Sequence, residues 1–134
     1  MIQQRFTFKS VEKLKSVKLI GEIFKTGKSF SHFPFRIIYI YPAESKSYLQ
    51  AAVSVSSKNF KKAVDRNRIK RLMREAYRLQ KIPLQKNLEQ YQKYLAVFII
   101  YTGNELPTYE IVLDKMGGLL ARLEKIVSNR HDQK

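Results

Sequence analysis

Apolar positions along the chain fall into stretches of differing period. Leu14, Val17, Ile20, Ile23 and Phe24 recur at helical spacing with Lys13, Lys15, Lys18, Glu22 and Lys25 between them, which predicts an amphipathic helix over about 14–25, ended by Thr26-Gly27. The run FPFRIIYIY at 33–41 is β-branched and aromatic and stops at Pro42 and the polar AESKS, the pattern of a strand and a turn. Its alternation sets Phe33, Phe35, Ile37, Tyr39 and Tyr41 on one face and Arg36, Ile38 and Ile40 on the other. Residues 48–55 are expected to be its hairpin partner. From about 61 to 80 the helical period returns, with Ile69, Leu72, Met73, Ala76 and Leu79 on one stripe and Pro83 at or just beyond the end. Asp65 suits the positive end of that helix, and Glu75 is within reach of Arg71 or Arg78. Residues 84–93 are polar and suit a short helical extension. YLAVFIIY at 94–101 is apolar on both faces, as in a central strand. Beyond Pro107 a last helix over 108–127 is expected to bury Ile111, Val112, Lys115, Leu119, Leu120, Leu123 and Val127. Gly117-Gly118 in its middle marks close packing or a bend.

A further short strand is expected near residues 5–8. The order α-β-β(-β)-α-β-α predicts an α+β fold, a single-domain sandwich of sheet and helices spanning 1–134, with the last few residues flexible. No repeat, low-complexity tract or interdomain linker interrupts it.

Composition narrows the chemistry. The 134 residues are 44% hydrophobic and 12% aromatic, enough for a core and too apolar for a disordered basic tail. The absence of cysteine excludes disulfides, a thiol nucleophile and Cys-based metal sites. Only His32 and His131 remain as nitrogen ligands, far apart in sequence, so no protein-built metal site is expected. Charges interrupt residues 1–18, unlike a secretory signal, and no stretch approaches the roughly 20 apolar residues of a membrane span. The default expectation is a soluble cytoplasmic domain. No Ser/His/Asp set, catalytic carboxylate pair or P-loop stands out.

The chain carries 26 Lys and Arg against 11 Asp and Glu, a formal +15. That excess is concentrated: residues 58–78 hold nine cations and two carboxylates, whereas residues 79–134 hold eight and six. Such a density points to a polyanionic partner. On a helical wheel Asn67, Arg71, Arg74 and Arg78 fall within roughly 60° of one another, opposite the apolar stripe, with Lys70 at their flank. A solvated charged face is one reading. The other is a row of guanidinium forks matched to phosphate oxygens.

The run Lys61-Lys62-Ala63-Val64-Asp65-Arg66-Asn67-Arg68-Ile69-Lys70-Arg71-Leu72-Met73-Arg74-Glu75-Ala76-Tyr77-Arg78 resembles the signature of the bacterial ribonuclease P protein family, A-V-x-R-N-x-x-K-R-x-x-R, and fills every fixed position of it. Upstream, Phe24-Lys25-x-Gly27-Lys28-Ser29-Phe30 resembles the family's end of the first helix, and Val53-Ser54-Val55-Ser56 its strand leading into the signature. The likeness covers most of the chain and is weakest after about residue 80. Two positions depart from the pattern. Asn59-Phe60-Lys61-Lys62 replaces a stretch that often holds glycine, with about one extra residue, and Ile20 stands where the first helix often carries an aromatic.

The resemblance implies the small protein subunit of a ribonucleoprotein whose RNA removes the 5′ leader of precursor tRNA by hydrolysis, with Mg²⁺ held mainly by RNA and substrate phosphates. It implies a four-stranded sheet with an uncommon left-handed β-α-β crossover, like the second domain of the fifth protein of the small ribosomal subunit. It also implies a protein that is monomeric within the holoenzyme and binds neither membrane nor DNA. By resemblance, Arg66, Asn67, Lys70, Arg71 and Arg74 bind the catalytic RNA, with Lys62, Arg68 and Arg78 as neighbours; a cap or turn role for Asn67 stays open. The leader would lie in a cleft between the first helix and the sheet, contacted by Ile20, Phe24, Phe35, Tyr39, Ser54, Ser56 and Lys58. Aromatic side chains on a basic groove suit single strands because every base has a face to stack. For Phe24 and Phe35 a core position is the competing reading, and Lys18 and Lys25 either line the groove or are solvated. The rival functions are a structural or ribosomal RNA-binding protein without enzyme activity, and a DNA-binding helix. The latter predicts a helix-turn-helix or dimer seam, which the sequence lacks.

Overall fold

The computed structural model describes residues 10–132, so the strand expected at 5–8 and the flexible tail expected at the C-terminus lie outside it. A short 3₁₀ turn at Ser10–Glu12 precedes α1 (Val17–Thr26), β1 (Lys28–His32), β2 (Phe35–Ile40), β3 (Leu49–Val55), α2 (Ala63–Gln80), α3 (Ile82–Tyr91), β4 (Leu95–Tyr101) and α4 (Tyr109–Asp132). The strands form one sheet in the order β1-β2-β4-β3. The α+β architecture expected from the sequence is therefore present.

Strand pairing departs from expectation in two ways. KSFSH forms an edge strand, β1, antiparallel to β2, although its mostly exposed side chains give no alternating apolar signal. The expected hairpin of β2 with β3 does not form. β4 lies between them, antiparallel to β2 and parallel to β3. A strand apolar on both faces gains most at the centre of a sheet covered on both sides. The parallel β3-β4 pair is joined through α2 and α3, the long crossover such a pair requires.

The alternation in β2 separates two cores. Phe35, Ile37, Tyr39, Val97, Ile99 and Tyr101 face α2, α3 and α4, where Ile69, Met73, Ala76, Leu88, Leu119 and Leu123 are buried against them. On the opposite face Ile23, Leu14, Ile38 and Ala96 form a smaller core under α1, with Ile20, Phe98 and Ile100 half-buried around it. Burying the Ile23 side chain alone is worth about 1.5–3 kcal/mol. Ser16 caps α1 by accepting from the Leu19 N–H at 3.1 Å.

In α4 the buried stripe runs Val112, Met116, Leu119, Leu120, Leu123 and Val127, at i,i+3/i+4 spacing. Ile111 and Lys115, expected inside, are exposed because each sits one residue out of phase with that stripe. The glycine pair packs closely and introduces no break in the helix. A Cβ on Gly117 would lie 2.6 Å from Gln80 Oε1, and one on Gly118 would lie 2.8 Å from His32 Nε2. Gln80 Nε2 donates to the Leu113 carbonyl at 2.9 Å, which ties α2 to α4. The N-terminal turn is anchored by a buried ion pair, Glu12 with Lys81, to which Gln85 Nε2 adds a 3.0 Å hydrogen bond.

Candidate nucleic-acid interface

The amphipathic division of α2 gives the first surface. Ile69, Met73, Ala76 and Tyr77 are buried against the sheet, which turns Asn67, Arg68, Arg71 and Arg74 outward and exposes them. Burial and the nearby Glu12 charge push the Tyr77 phenol far above its ordinary range, so the buried side stays neutral. Asn67 lies inside the helix, its side chain makes no hydrogen bond among the described residues, and the N-cap position is Lys62, so the cap role is excluded. Lys62 is exposed and Lys70 half-buried.

Arg66 of the signature and Arg78, one turn beyond it, have partners within the protein. Arg66 Nη1 donates at 2.8 Å to the carbonyls of both Phe60 and Lys61, pinning the preceding loop against the first turn of α2. It therefore positions the face at least as much as it extends it. Arg78 donates to Glu75 from Nε at 3.1 Å and from Nη2 at 2.7 Å, which settles the partner of Glu75. That bond holds the Glu75 carboxyl below its usual range and raises the guanidinium. Arg71 and Arg74 make no hydrogen bond or ion pair among the described residues and are open to phosphate. Lys13, which no pattern along the chain marked for this face, reaches it from before α1. With Arg71, Leu72, Arg74, Glu75 and Arg78 it lines a groove of about 440 Å³.

The loop at 56–62, which departs from the family pattern, is held from both sides. Asn59 Nδ2 donates to the carbonyls of Thr102 and Gly103 at 3.2 Å, and Phe60 is buried beside Tyr101 with ring centroids 6.0 Å apart.

The second surface is the α1 face of the sheet. Its cross-strand rows follow from the register: Ser29, Ile38, Phe98 and Ala52 form one, and Ser31, Arg36, Ile100 and Ser54 the next. The C-terminal turn of α1 covers the first row. A Cβ on Gly27 would meet Ile38 Cγ2 at 2.9 Å, and the Phe24 ring stands edge-on to Phe98 with centroids 5.0 Å apart. The second row is left open, with Ile100 and Ser54 half-buried and Arg36 exposed. Phe24 is 54% exposed, so it forms a wall of this cleft and is not a core residue. Ile20 is half-buried on the sheet side of α1, Ser56 follows β3 half-buried, and Lys58 is exposed in the loop towards α2.

Two expected cleft residues are elsewhere. Phe35 and Tyr39 are 1% and 6% exposed in the main core, on the opposite face from α1. Phe35 packs edge-on to Tyr101, and Tyr39 to Phe30 and Tyr41. Their alternation was legible, but the face that α1 covers is decided by tertiary packing. Phe98, Ile100 and Arg36 take their place; a run apolar on both faces gave no hint that Phe98 faces the cleft.

Residues 8–124 match the family model described as Ribonuclease P. The ribonuclease P protein component of Porphyromonas gingivalis is 39% identical over 105 residues, covering 78% of this chain and 77% of the relative. That of Chlorobium phaeobacteroides is 32% identical over 120 residues, covering 81% and 82%. Among solved structures, the RNase P protein of Thermotoga maritima superposes with a TM-score of 0.63 at 25% identity, over 83% of this chain and 96% of its own. The Staphylococcus aureus protein gives 0.65 at 20% identity, over 84% and 94%.

Proposed function

The chain belongs to the ribonuclease P protein family, and from that premise we propose how it serves as the protein subunit of this ribonucleoprotein endonuclease: α2 holds the catalytic RNA, and the cleft beside α1 holds the 5′ leader of precursor tRNA. The carrying observation is the division of α2, whose apolar stripe is sealed in the core while Asn67, Arg68, Arg71 and Arg74 face outward. Each unpaired guanidinium placed on phosphate releases condensed counterions, and Asn67 offers both a donor and an acceptor to a hydroxyl or base edge. The generic alternative, a basic RNA-binding protein without an enzyme, leaves the complete signature without a purpose.

Phosphodiester hydrolysis is assigned to the RNA. Among the described residues no three His, Asp or Glu side chains gather as a metal site. On the family reading the Mg²⁺ ion is held mainly by RNA and substrate phosphates, a binding mode in which the metal keeps several waters and needs no dedicated protein cage. What the protein contributes is binding. Phe24 and Phe98 offer aromatic surface to unstacked leader bases, worth about 1–3 kcal/mol per base, and Ser54, Ser56 and Lys58 continue the path to α2. No helix among the described residues is long and apolar enough to cross a membrane. The cytoplasm, where tRNA is made, is the compartment this reading requires.

The test is cleavage of precursor tRNA by a bacterial catalytic RNA at Mg²⁺ concentrations where the RNA alone is slow. Addition of this protein should accelerate leader removal, and equal rates with and without it would refute the assignment.

A further inference from the structure

The row Ser31-Arg36-Ile100-Ser54 holds a charge where the rest of the α1 face of the sheet has none. Of the strand positions on the α1 face, which are Ser29, Ser31, Arg36, Ile38, Ile40, Gln50, Ala52, Ser54, Ala96, Phe98 and Ile100, only Arg36 is charged. It is exposed, and among the described residues its side chain makes no ion pair and one hydrogen bond, a long 3.4 Å contact to Ser29 Oγ. An arginine on a strand position flanked by Ser31 on one side and Ile100 on the other contributes nothing evident to folding. Its fork is available at the margin of an apolar floor.

We propose that Arg36 is a positioning residue that fixes the leader by a single phosphate at the end of the cleft remote from the catalytic RNA. This rests on the leader lying in the cleft. The row has two different ends. Ser54 leads through Ser56 and Lys58 into α2, and so towards the catalytic RNA, whereas Arg36 lies two strands away. At the usual 4.7–4.9 Å between strands that separation is roughly 10 Å, a distance that successive phosphates of an extended strand can span. A strand entering at Ser54 would set a base against Phe98 and Phe24 and bring a later phosphate to the Arg36 guanidinium, which binds phosphate oxygens two at a time. Arg36 thereby reads leader length and not leader sequence: a leader too short to present that phosphate loses the contact.

The experiment is a chemical cycle on the reconstituted holoenzyme. Precursor tRNAs carry one neutral methylphosphonate at each leader position in turn, and affinity is measured for wild type, Arg36→Gln and Phe24→Ala, with leaderless tRNA as reference. At one position the wild type should lose about fivefold, as expected for an exposed charge-assisted contact. Arg36→Gln should lose the same on the unmodified precursor, nothing on leaderless tRNA, and nothing more when that phosphate is neutral. If every neutralisation costs the variant as much as the wild type, or if Arg36→Gln weakens leaderless tRNA equally, the assignment to Arg36 is overturned, while a leader-specific loss in Phe24→Ala keeps the cleft reading. If the wild type does not distinguish leader-bearing from leaderless tRNA, both fall.

Discussion

Arg71 and Arg78 share one face of α2, about two turns apart, yet the structure predicts that they contribute differently to RNA binding. Arg71 is exposed and has no ion-pair or side-chain hydrogen-bond partner among the described residues, whereas Arg78 is chelated by the Glu75 carboxylate at 2.7 and 3.1 Å, so the Glu75-Arg78 pair is neutral as a unit. A cation that contacts phosphate adds about 0.7–0.9 to the slope of log K against log salt. Between 50 and 200 mM salt, Arg71→Ala should therefore shrink the fall in affinity for the catalytic RNA by about threefold. The double variant Glu75→Gln/Arg78→Gln leaves the net charge unchanged and removes only the neutral pair, so its slope should match the wild type. Glu75→Gln alone releases the Arg78 fork and should steepen the slope. Fluorescence anisotropy on labelled catalytic RNA across that salt range reads all three. If the double variant flattens the slope as much as Arg71→Ala does, Arg78 is contacting phosphate despite Glu75, and the division of α2 into free and occupied arginines is wrong.

Three further predictions concern what holds these surfaces in place. Glu12→Ala leaves Lys81, whose side chain is 1% exposed, without its carboxylate; a loss of about 3–5 kcal/mol in urea unfolding is expected, and a loss below about 1 kcal/mol, the range of an exposed pair, would contradict the burial. Gly27→Ala would put a Cβ 2.3 Å from the Ile23 carbonyl oxygen, whereas one on Gly21 meets nothing within 4 Å. The first should destabilise by about 2 kcal/mol or more and the second stabilise by about 0.5–1 kcal/mol, so thermal melts moving the same way would refute the α1 packing. His32 is held below its ordinary pKa by burial, then by the charges of Arg122 and Lys115. Its folded pKa lies below the unfolded value of about 6.5, so its contribution is complete above that pH and lost as pH falls through the folded value. His32→Gln should flatten this acid-side decline in denaturation midpoint, and an unchanged decline would contradict it.

What could be read from sequence depended on whether the signal was local. α2, α3 and α4 begin and end close to where periodicity and proline place them, and β4 is central because no other position suits a segment apolar on both faces. β1 was missed because an edge strand facing water, with Ser29 and Ser31 between Lys28 and His32, has no pattern to find. The pairing of β3 with β4 was missed because it depends on a crossover through two helices, which the turn after Pro42 does not encode. The basic side of α2 was legible as a face, but its internal pairing was not: that Arg66 bonds to the Phe60 and Lys61 carbonyls and Arg78 to Glu75 depends on loop geometry and rotamers. In the cleft, alternation separated Phe35 and Tyr39 from Arg36 and Ile38 correctly. Which set lies under α1 is a property of how the layers stack, and the aromatic set went to the larger core, where more apolar area leaves water.

If the two surfaces act independently, a crossed measurement separates them. Arg71→Ala and Phe24→Ala, both exposed and both expected to fold, are each assayed for affinity to the catalytic RNA and, as holoenzyme, for the ratio of affinities for precursor and mature tRNA. Arg71→Ala should weaken the first and leave the second unchanged; Phe24→Ala should leave the first unchanged and lower the second by about five- to tenfold or more, as the loss of a stacked base implies. Equal effects of the two substitutions on both quantities would contradict that independence.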